Sequence, residues 1–304
     1  MDRRIKLRHL ETFVEISRRS SLKRAADALN LTQPAVSKTL RELEETLGAA
    51  LMTRDRGGVR MTPMGEVFLQ HAQASLGALE QGLAGVARMK SGAAARVMVG
   101  ALPSVAARVL PGASLLFADL APDSLLFFED GPHDVLMDRL RRGALDLVVG
   151  RLGPPSSMAG VSFTQLYSET VICVVRPGHP LTQGIGGFGD LADWPVIYPA
   201  PRSAIRPLVD RLMLSQGVVR MQARVESVSG AFGREVVRSG DAVWFISEGV
   251  VAADIAAGTL ARLPLDTGLT AGPVGIMTRA EEEPSETVRL FRQCIRRAAS
   301  DLGL

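Results

Sequence analysis

A length of 304 residues predicts two or three domains, since domains average about 100–200 residues. Hydrophobic residues make up 46% of the chain and charged residues 22%, which is enough apolar material for folded cores and argues against disorder. No apolar run reaches the roughly 20 residues of a membrane span, the N-terminal sequence lacks a signal-peptide core, and two cysteines, Cys173 and Cys294, cannot form a disulfide framework. We therefore expect a cytoplasmic globular protein that does not enter a membrane.

The positive charge is concentrated near the N-terminus. Residues 1–62 contain 13 Lys and Arg against 8 Asp and Glu, whereas residues 93–304 contain 20 against 22. A positive unit joined to a slightly negative body favours contact between that unit and a polyanion, although an excess of five can arise by chance. The charge alone does not distinguish polyanion binding from chance, so the sequence motifs have to distinguish them.

The first 60 residues have the hydrophobic periodicity of helices joined by short turns. Ser20 and Ser21 are candidate N-caps for the second helix, Thr32 is placed to cap the third, and Gly48 ends it. Pro34 is tolerated in the first turn of the third helix because the N–H that it lacks would be unpaired there. Two helices joined by a tight turn predict a helix-turn-helix.

The third helix is predicted to present a polar face. Gln33, Ser37 and Arg41 recur at intervals of four residues, with Lys38 beside them. Short hydrogen-bonding groups and cations of this kind suit base edges and phosphates in a major groove. An ordinary solvated face would have the same composition. The polar face of the third helix favours DNA contact because this helix is the second one of the helix-turn-helix.

A basic hairpin is predicted directly after this helix. Residues 51–62 alternate in polarity and turn at two consecutive glycines, which brings Arg54, Arg56 and Arg60 close together. Such a hairpin beside a recognition helix is a wing that contacts the neighbouring minor groove or the phosphate backbone.

A long helix is predicted over residues 63–92, with Thr62 as its cap and Pro63 in its first position. Its apolar residues alternate at spacings of three and four: Leu69, Ala72, Leu76, Leu79, Leu83 and Val86. This is the seam of a coiled coil, too short to be stable alone. The alternative is a helix packed on its own domain. The polar or small flanking positions favour a dimer, which would match a two-fold operator.

The remaining 210 or so residues alternate between short β-branched runs and helical stretches. Strands are predicted near 97–101, 125–129, 145–150, 171–175, 196–198, 222–225, 242–246 and 275–278. Helices are predicted around 105–120, 135–142, 206–214, 232–238 and 250–257. This alternation predicts parallel α/β sheets, in a segment long enough for two small lobes.

The N-terminal motifs resemble those of the LysR-type transcriptional regulators over about 60 residues without a gap. The matching motifs are Ala25-Ala26-x-x-Leu29, Thr32-Gln33-Pro34-Ala35-Val36-Ser37, Leu40-Arg41-x-Leu43-Glu44-x-x-Leu47-Gly48, Leu51-x-x-Arg54 and Val59-x-Met61-Thr62-x-x-Gly65. Thr32 stands where Ser is commoner and Met52 where Phe is commoner. Thr32 keeps the capping hydroxyl, and Met52 keeps the apolar contact. Segments 4–13 and 65–72 also resemble the group that contains the protocatechuate-pathway and galactose-binding-protein regulators.

The resemblance implies an α/β protein with an all-α N-terminal part: a winged helix-turn-helix, a long linker helix and a two-lobed effector domain similar to periplasmic binding proteins. We assign residues 1–62, 63–92 and 93–304 to these parts, with lobe I at 93–166 and 268–304 and lobe II at 167–267. Family members usually form tetramers that bind a promoter and change its bend when a small molecule binds. The resemblance and the polar pattern assign DNA contact to Thr32, Gln33, Pro34, Ser37, Lys38, Arg41, Arg54, Arg56 and Arg60.

An effector site is expected at the carboxyl ends of the strands, where ligands of open α/β sheets bind. Hydroxyl and guanidinium groups follow several predicted strands, and Ser104 and Arg202 are the first candidates. The full set is Ser104, Arg202, Ser203, Ser227 and Ser247. Plain helix capping is the alternative for any one serine, and Arg151, at another strand end, can equally lie on the surface. The set suits an anionic metabolite, such as a carboxylated aromatic or its ring-cleavage product.

The sequence offers little for an enzyme. Residues 184–189 fit G-x-G-x-x-G but follow a turn instead of a strand, so a dinucleotide site is not expected. The four histidines are far apart and the cysteines have no CxxC partner, so we expect no cofactor, no metal and no catalytic group. The alternative function is a small-molecule-binding module, or an enzyme, that uses the N-terminal helices only for dimerisation.

Overall fold

The computed structural model of the chain describes residues 4–55, 58–91, 94–218, 223–280 and 282–304. The chain divides into two compact units. Met1–Ala93 and Arg141–Ala144 form unit 1, whereas Ala94–Leu140 and Leu145–Leu304 form unit 2. Within the described ranges, none of the helices combines the length and the apolar character that crossing a bilayer requires.

Unit 1 is a three-helix bundle followed by a hairpin and a long helix. Its elements are α1 (Leu7–Arg19), α2 (Leu22–Leu29), α3 (Gln33–Leu47), β1 (Met52–Asp55), β2 (Gly58–Met61) and α4 (Pro63–Ser91). Phe13, Ile16, Val36 and Leu43 are fully buried in its core. Small Ala25 lets α2 approach its neighbours, as a helix-turn-helix requires. The predicted winged helix-turn-helix is therefore confirmed.

The helix ends follow the predicted capping chemistry, with one exception. The Thr32 hydroxyl accepts from the Ala35 N–H at 3.4 Å, and Gly48 ends α3 in the left-handed region at a φ of +65°. Ser21 caps α2 by accepting from the Arg24 N–H. Ser20 does not cap α2, because it adopts a φ of +50° and terminates α1 instead.

Glu44 and Thr62 attach the hairpin to the helices on either side. The Glu44 carboxylate on α3 accepts from the backbone N–H groups of Leu51 and Met52, at 2.8 and 3.1 Å. The Thr62 hydroxyl donates to the Ala50 carbonyl and accepts from the Gly65 N–H at the start of α4. These bonds fix where the wing leaves the recognition helix.

The two halves of the apolar seam of α4 differ in burial. Ala72 is buried and Leu69 and Leu76 pack beside it in the core of unit 1. Beyond this point the pattern continues on an exposed surface, where Leu79, Leu83 and Val86 are 44%, 65% and 55% exposed. The predicted coiled-coil seam is thus wrong for its first half, which packs on its own domain.

Unit 2 contains two five-stranded sheets. The chain first forms β3 (Arg96–Ala101), α5 (Pro103–Arg108), α6 (Leu110–Leu120), β4 (Leu125–Asp130), α7 (His133–Arg141), β5 (Leu147–Arg151) and β6 (Val161–Glu169). It then forms β7 (Val171–Val175), β8 (Val196–Tyr198), α8 (Arg206–Ser215), β9 (Ala223–Glu226), α9 (Gly230–Ser239), β10 (Val243–Ser247), α10 (Glu248–Ala256) and β11 (Ala261–Arg262), and returns with β12 (Gly272–Arg279) and α11 (Glu286–Asp301).

The strand orders define two lobes, each with its own core. Lobe I has the order β4-β3-β5-β12-β6 and lobe II the order β11-β7-β10-β8-β9. Helices α6, α7 and α11 pack on the first sheet, whereas α8, α9 and α10 contribute to the second core. The predicted two-lobed α/β architecture is confirmed.

The sheets are mixed, so the prediction of parallel sheets is wrong. In lobe I, β3 runs parallel to β4 and β5, but β12 is antiparallel to both of its neighbours. In lobe II, β10 runs parallel to β8 and antiparallel to β7. The reason is the path of the chain, because β12 enters the first sheet only after lobe II has been completed.

The chain crosses between the lobes twice, at Thr170 and at Ala271. The sequence-based limit at 166/167 falls inside β6, whose Tyr167 belongs to the lobe I core. The helix expected over 105–120 is two helices, because Pro111 starts a new first turn in α6. Neither the strand β6 nor the helix α11 is among the elements predicted from the sequence.

Candidate nucleic-acid interface and ligand cleft

The predicted DNA-contacting residues of α3 lie on one side of the helix. Gln33, Pro34, Lys38 and Arg41 are exposed and Ser37 is half-buried, while the opposite side enters the core of unit 1. Thr32 is exposed, and its hydroxyl is used for the N-cap. The arrangement presents amide and cationic groups to solvent along the first two turns of the helix.

The wing is an antiparallel hairpin, in which Thr53 pairs with Arg60 and Arg54 pairs with Val59. Arg60 is exposed. Arg56 and the side chain of Arg54, the other members of the predicted basic cluster, lie outside the described residues.

An acidic residue that the sequence analysis did not assign lies beside the basic face. Glu42 on α3 lies 3.2 Å from Nη2 of Arg8, 3.4 Å from Nε2 of His9 and 3.9 Å from Nζ of Lys38. His9 Nδ1 accepts from the Lys6 N–H, so Nε2 is the ring nitrogen that faces Glu42. Partial desolvation opposes ionisation, but His9 and the two cations together lower the pKa of Glu42. Only the i, i+4 pair with Lys38 is visible in the sequence.

Unit 2 contains a cleft of about 900 Å³ between its two lobes. Four of the five predicted effector residues line it: Ser104, Arg202, Ser203 and Ser247. Ser227 is not part of the lining, because its hydroxyl turns back to accept from the Ser229 N–H at 3.1 Å. Its neighbour Ser229 lines the cleft instead.

The serines differ in how much hydrogen-bonding capacity they leave to a ligand. Ser229 caps α9 by accepting from the Phe232 N–H, and Ser203 donates to the Ala200 carbonyl at 2.8 Å. Ser247 precedes α10 without forming a side-chain cap. Capping therefore accounts for Ser229, whereas Ser247 keeps its hydroxyl for the cleft.

Arg202 lines the cleft, but its charge is already paired. Its guanidinium contacts the carboxylate of Asp134, which lies at the start of α7 in the opposite lobe. Both side chains are mostly exposed, at 69% and 57%. Partial burial opposes ionisation of Asp134, but the Arg202 hydrogen bond and charge lower its pKa.

A buried arginine lies deeper in the cleft. Arg151 is the last residue of β5 and is only 4% exposed, so it is a buried and not a surface residue. Its Nη1 donates to the Thr270 carbonyl at 3.2 Å and its Nη2 to the Glu169 carbonyl at 2.9 Å. The sequence signal for this residue was its place at a strand end, but its burial also depends on a contact with Thr270, 119 residues away.

Glu169 is the nearest acid to Arg151. Its carboxylate lies 3.8 Å from Arg151, and its Oε1 accepts from the Gly249 N–H at the start of α10 at 2.8 Å. Burial raises the pKa of Glu169, against the opposing effects of the Gly249 N–H, Arg151, Ser104 and Arg108. The pair therefore links lobe I to the first turn of a lobe II helix.

The G-x-G-x-x-G segment lies away from this cleft and has no strand–turn–helix context. It connects a 3₁₀ turn at Pro180–Gln183 to another at Phe188–Asp193. His179 is fully buried, and its ring centre lies 4.4 Å from that of Trp194 with the two planes tilted by 58°. Its Nδ1 accepts from the Leu181 N–H. In the described ranges, no cluster of three His, Cys, Asp or Glu side chains has the arrangement of a metal site.

A winged helix-turn-helix joined to a two-lobed ligand domain defines a class of DNA-binding regulators. The family models match both parts: "Bacterial regulatory helix-turn-helix protein, lysR family" over residues 7–66, and "LysR substrate binding domain" over residues 90–300. The chain belongs to the LysR family of transcriptional regulators. This family and its relatives are regulators and not enzymes.

Relatives of this chain support the subgroup expected from the motifs. The chain is 48% identical to the HTH-type transcriptional regulator PcaQ of Agrobacterium fabrum over 303 residues, which cover 99% of this chain and 97% of PcaQ. It is 30% identical to the HTH-type transcriptional regulator GbpR of Azospirillum brasilense, over 98% of this chain and 87% of GbpR. The crystal structure of full-length BenM is 25% identical, with a TM-score of 0.56, over 99% of this chain and 98% of BenM.

Proposed function

We propose that this regulator binds promoter DNA through α3 and the wing, as a dimer or a tetramer, and that a small carboxylated metabolite of aromatic catabolism controls it. The observation that carries the proposal is the two-sided character of α3. One side buries Val36 and Leu43. The other exposes Gln33, Lys38 and Arg41, whose groups suit base edges and phosphates.

Pairing of two DNA-binding units is supported by the second half of α4. Leu79, Leu83 and Val86 continue the three-and-four spacing on an exposed surface. Exposed apolar residues in this register are the contacts of a helix pair. Two paired units would place two recognition helices on the half-sites of a two-fold operator.

A carboxylated effector is supported by the size and chemistry of the cleft. Its volume of about 900 Å³ is within the range of small-molecule sites. Two arginines, Arg151 and Arg202, line it together with the hydroxyls of Ser104 and Ser247. Charge-assisted hydrogen bonds from such groups are the strong contacts for a carboxylate. The 48% identity to PcaQ fits the protocatechuate-pathway subgroup, and hence an aromatic acid or its ring-cleavage product.

The proposal is tested by DNA binding with and without candidate ligands. Genomic fragments selected by the full chain would be measured by fluorescence anisotropy between 50 and 300 mM salt, in the presence of protocatechuate or 3-carboxy-cis,cis-muconate. We expect affinity to fall steeply with salt, because phosphate contacts release counterions, and one of the two acids to change the complex. Salt-independent binding, or no selected fragment, would contradict the DNA-binding proposal.

A further inference from the structure

The charge of Arg151 is buried in the cleft without a complete set of partners. Only 5% of its side chain is exposed, and a guanidinium does not lose its proton in proteins. Both of its hydrogen bonds go to neutral carbonyl oxygens, those of Thr270 and Glu169. Its Nε–H has no hydrogen-bond partner in the structure. A buried cation in this state is costly unless an anion reaches it.

The acid that faces Arg151 does not satisfy it. The nearest carboxylate oxygen, Oε2 of Glu169, lies 3.8 Å from Nη2, beyond hydrogen-bonding distance. That oxygen also has no hydrogen-bond partner, while the other carboxylate oxygen is taken by the Gly249 N–H. The two charges therefore compensate each other only by their proximity. Arg108 and Tyr167 are the other titratable groups that face this pair.

The incomplete pair lies where an entering ligand would meet it. Arg151 and Ser104 both line the cleft, and both are more than nine-tenths buried. The start of α10 adjoins the same place, since a Cβ on Gly249 would contact Glu169 and Ser104. Arg202, by contrast, is exposed and already paired with Asp134. The strongest attraction for an anion is thus at Arg151.

We propose that Arg151 and Glu169 form a carboxylate-exchange site, in which a ligand carboxylate binds the guanidinium of Arg151 and replaces Glu169 as its counter-charge. The inference rests on the proposed function and names the subsite that recognises the acid group of the effector. Arg151 binds the ligand, whereas Glu169 is a positioning residue that acts through Arg151.

Arg151 also contacts both of the segments that join the lobes. Arg151 donates to Glu169 at the first crossing and to Thr270 at the second. The Thr270 hydroxyl accepts from the Val171 N–H at 2.8 Å, which ties the two crossings together. Gly272 leaves room for the guanidinium, because a Cβ there would lie 2.6 Å from Nη1. A ligand bound to Arg151 therefore acts on the group that holds both crossings.

Isothermal titration calorimetry of the full chain tests the site with two probes, protocatechuate and 3-carboxy-cis,cis-muconate. The amide of protocatechuate, 3,4-dihydroxybenzamide, serves as a neutral comparison. We expect Arg151→Gln to weaken acid binding by roughly 30-fold or more, since one partner of a buried charge-assisted contact is lost. The amide should bind weakly to both proteins.

Glu169→Gln distinguishes exchange from a structural role. The glutamine carbonyl can still accept from the Gly249 N–H, but the competing negative charge is gone. We expect acid binding to tighten by about three- to tenfold, as the guanidinium then has no internal counter-charge. A residue needed only for structure would instead weaken binding when changed. This variant also tests the site if Arg151→Gln fails to fold.

The outcomes separate the inference from the proposed function. Arg202→Gln is the matched comparison, because it removes an exposed arginine from the same cleft and should weaken acid binding less than Arg151→Gln does. If the wild-type chain binds an acid and both Arg151→Gln and Glu169→Gln change that affinity by less than twofold, the exchange site alone is overturned. The exchange site alone is also overturned if Glu169→Gln weakens acid binding. Failure of both probes to bind the wild-type chain and Glu169→Gln overturns the exchange site and the proposed effector class together.

Discussion

Arg202 of lobe II forms an ion pair with Asp134 of lobe I at the cleft. The pair engages the arginine that the sequence predicted as an effector ligand. An incoming acid therefore has to compete with Asp134 for Arg202. Because both side chains are mostly exposed, the competition is weak, in keeping with the small net effect of surface ion pairs.

Asp134→Asn should release Arg202 and strengthen the binding of an acidic ligand by about two- to threefold, while the free energy of unfolding changes by less than about 1 kcal/mol. Arg202→Ala should weaken effector binding and leave DNA affinity intact. Calorimetry and urea unfolding measure these effects. Weaker acid binding by Asp134→Asn would contradict a competing role, and unchanged effector affinity in Arg202→Ala would remove that residue from the site.

Glu169 gives the stability of the protein a defined dependence on pH. Since burial raises its pKa in the folded state, the folded chain keeps the proton more tightly than the unfolded chain. Its contribution to stability is therefore present at low pH and is lost as the pH rises through the raised pKa. The melting temperature of Glu169→Gln relative to the wild type should increase between pH 5 and pH 8, as thermal unfolding at each pH would show. A constant difference would rule out this titration.

The two halves of α4 should respond differently to substitution. Leu76→Ala removes a side chain packed in the core of unit 1 and should lower the free energy of unfolding by about 1–2 kcal/mol without changing the oligomer. Leu83→Glu changes a 65% exposed residue and should shift the chain toward monomers. Analytical ultracentrifugation and urea unfolding separate the two effects. An intact oligomer in Leu83→Glu would exclude this surface as the dimer contact.

Glu42 places a negative charge beside the groups proposed to contact phosphates. Glu42→Gln removes the anion that faces Arg8 and Lys38, so both cations become more available to DNA. We expect tighter binding to DNA of any sequence, by about two- to fivefold at low salt, with little change in the preference for the operator. Competition between specific and random duplexes measures this. A loss of affinity would show instead that Glu42 positions the two cations productively.

The local chemistry of unit 1 made its fold predictable from the sequence. The cap at Thr32, the tolerated Pro34 and the glycine stop at Gly48 depend on residues within a few positions of one another, so the pattern defines α3 without knowledge of the rest. The same holds for several strands of unit 2, whose apolar runs are short and bounded by turns. A local signal is also present for α11, where Val288, Phe291 and Ile295 follow one another at helical spacing.

Contacts between distant parts of the chain account for what the sequence did not predict. The direction of β12 follows from its return after lobe II, which no local pattern records. The burial of Arg151 depends on Thr270, 119 residues away, and the pairing of Arg202 depends on Asp134, 68 residues away. The position of Ser104 and Ser247 at strand ends was sufficient to place both in the cleft lining.

DNA contact by α3 is tested by the salt dependence of DNA binding by Lys38→Ala and Arg41→Ala, with Arg297→Ala on α11 as the control. Fluorescence anisotropy on a selected operator should show weaker binding for both α3 variants, and loss of a phosphate contact should reduce the slope of log affinity against log salt by about one. Arg297→Ala, which changes an arginine exposed at 73%, should bind like the wild type. If the α3 variants keep wild-type affinity and slope, this face of the recognition helix does not contact DNA.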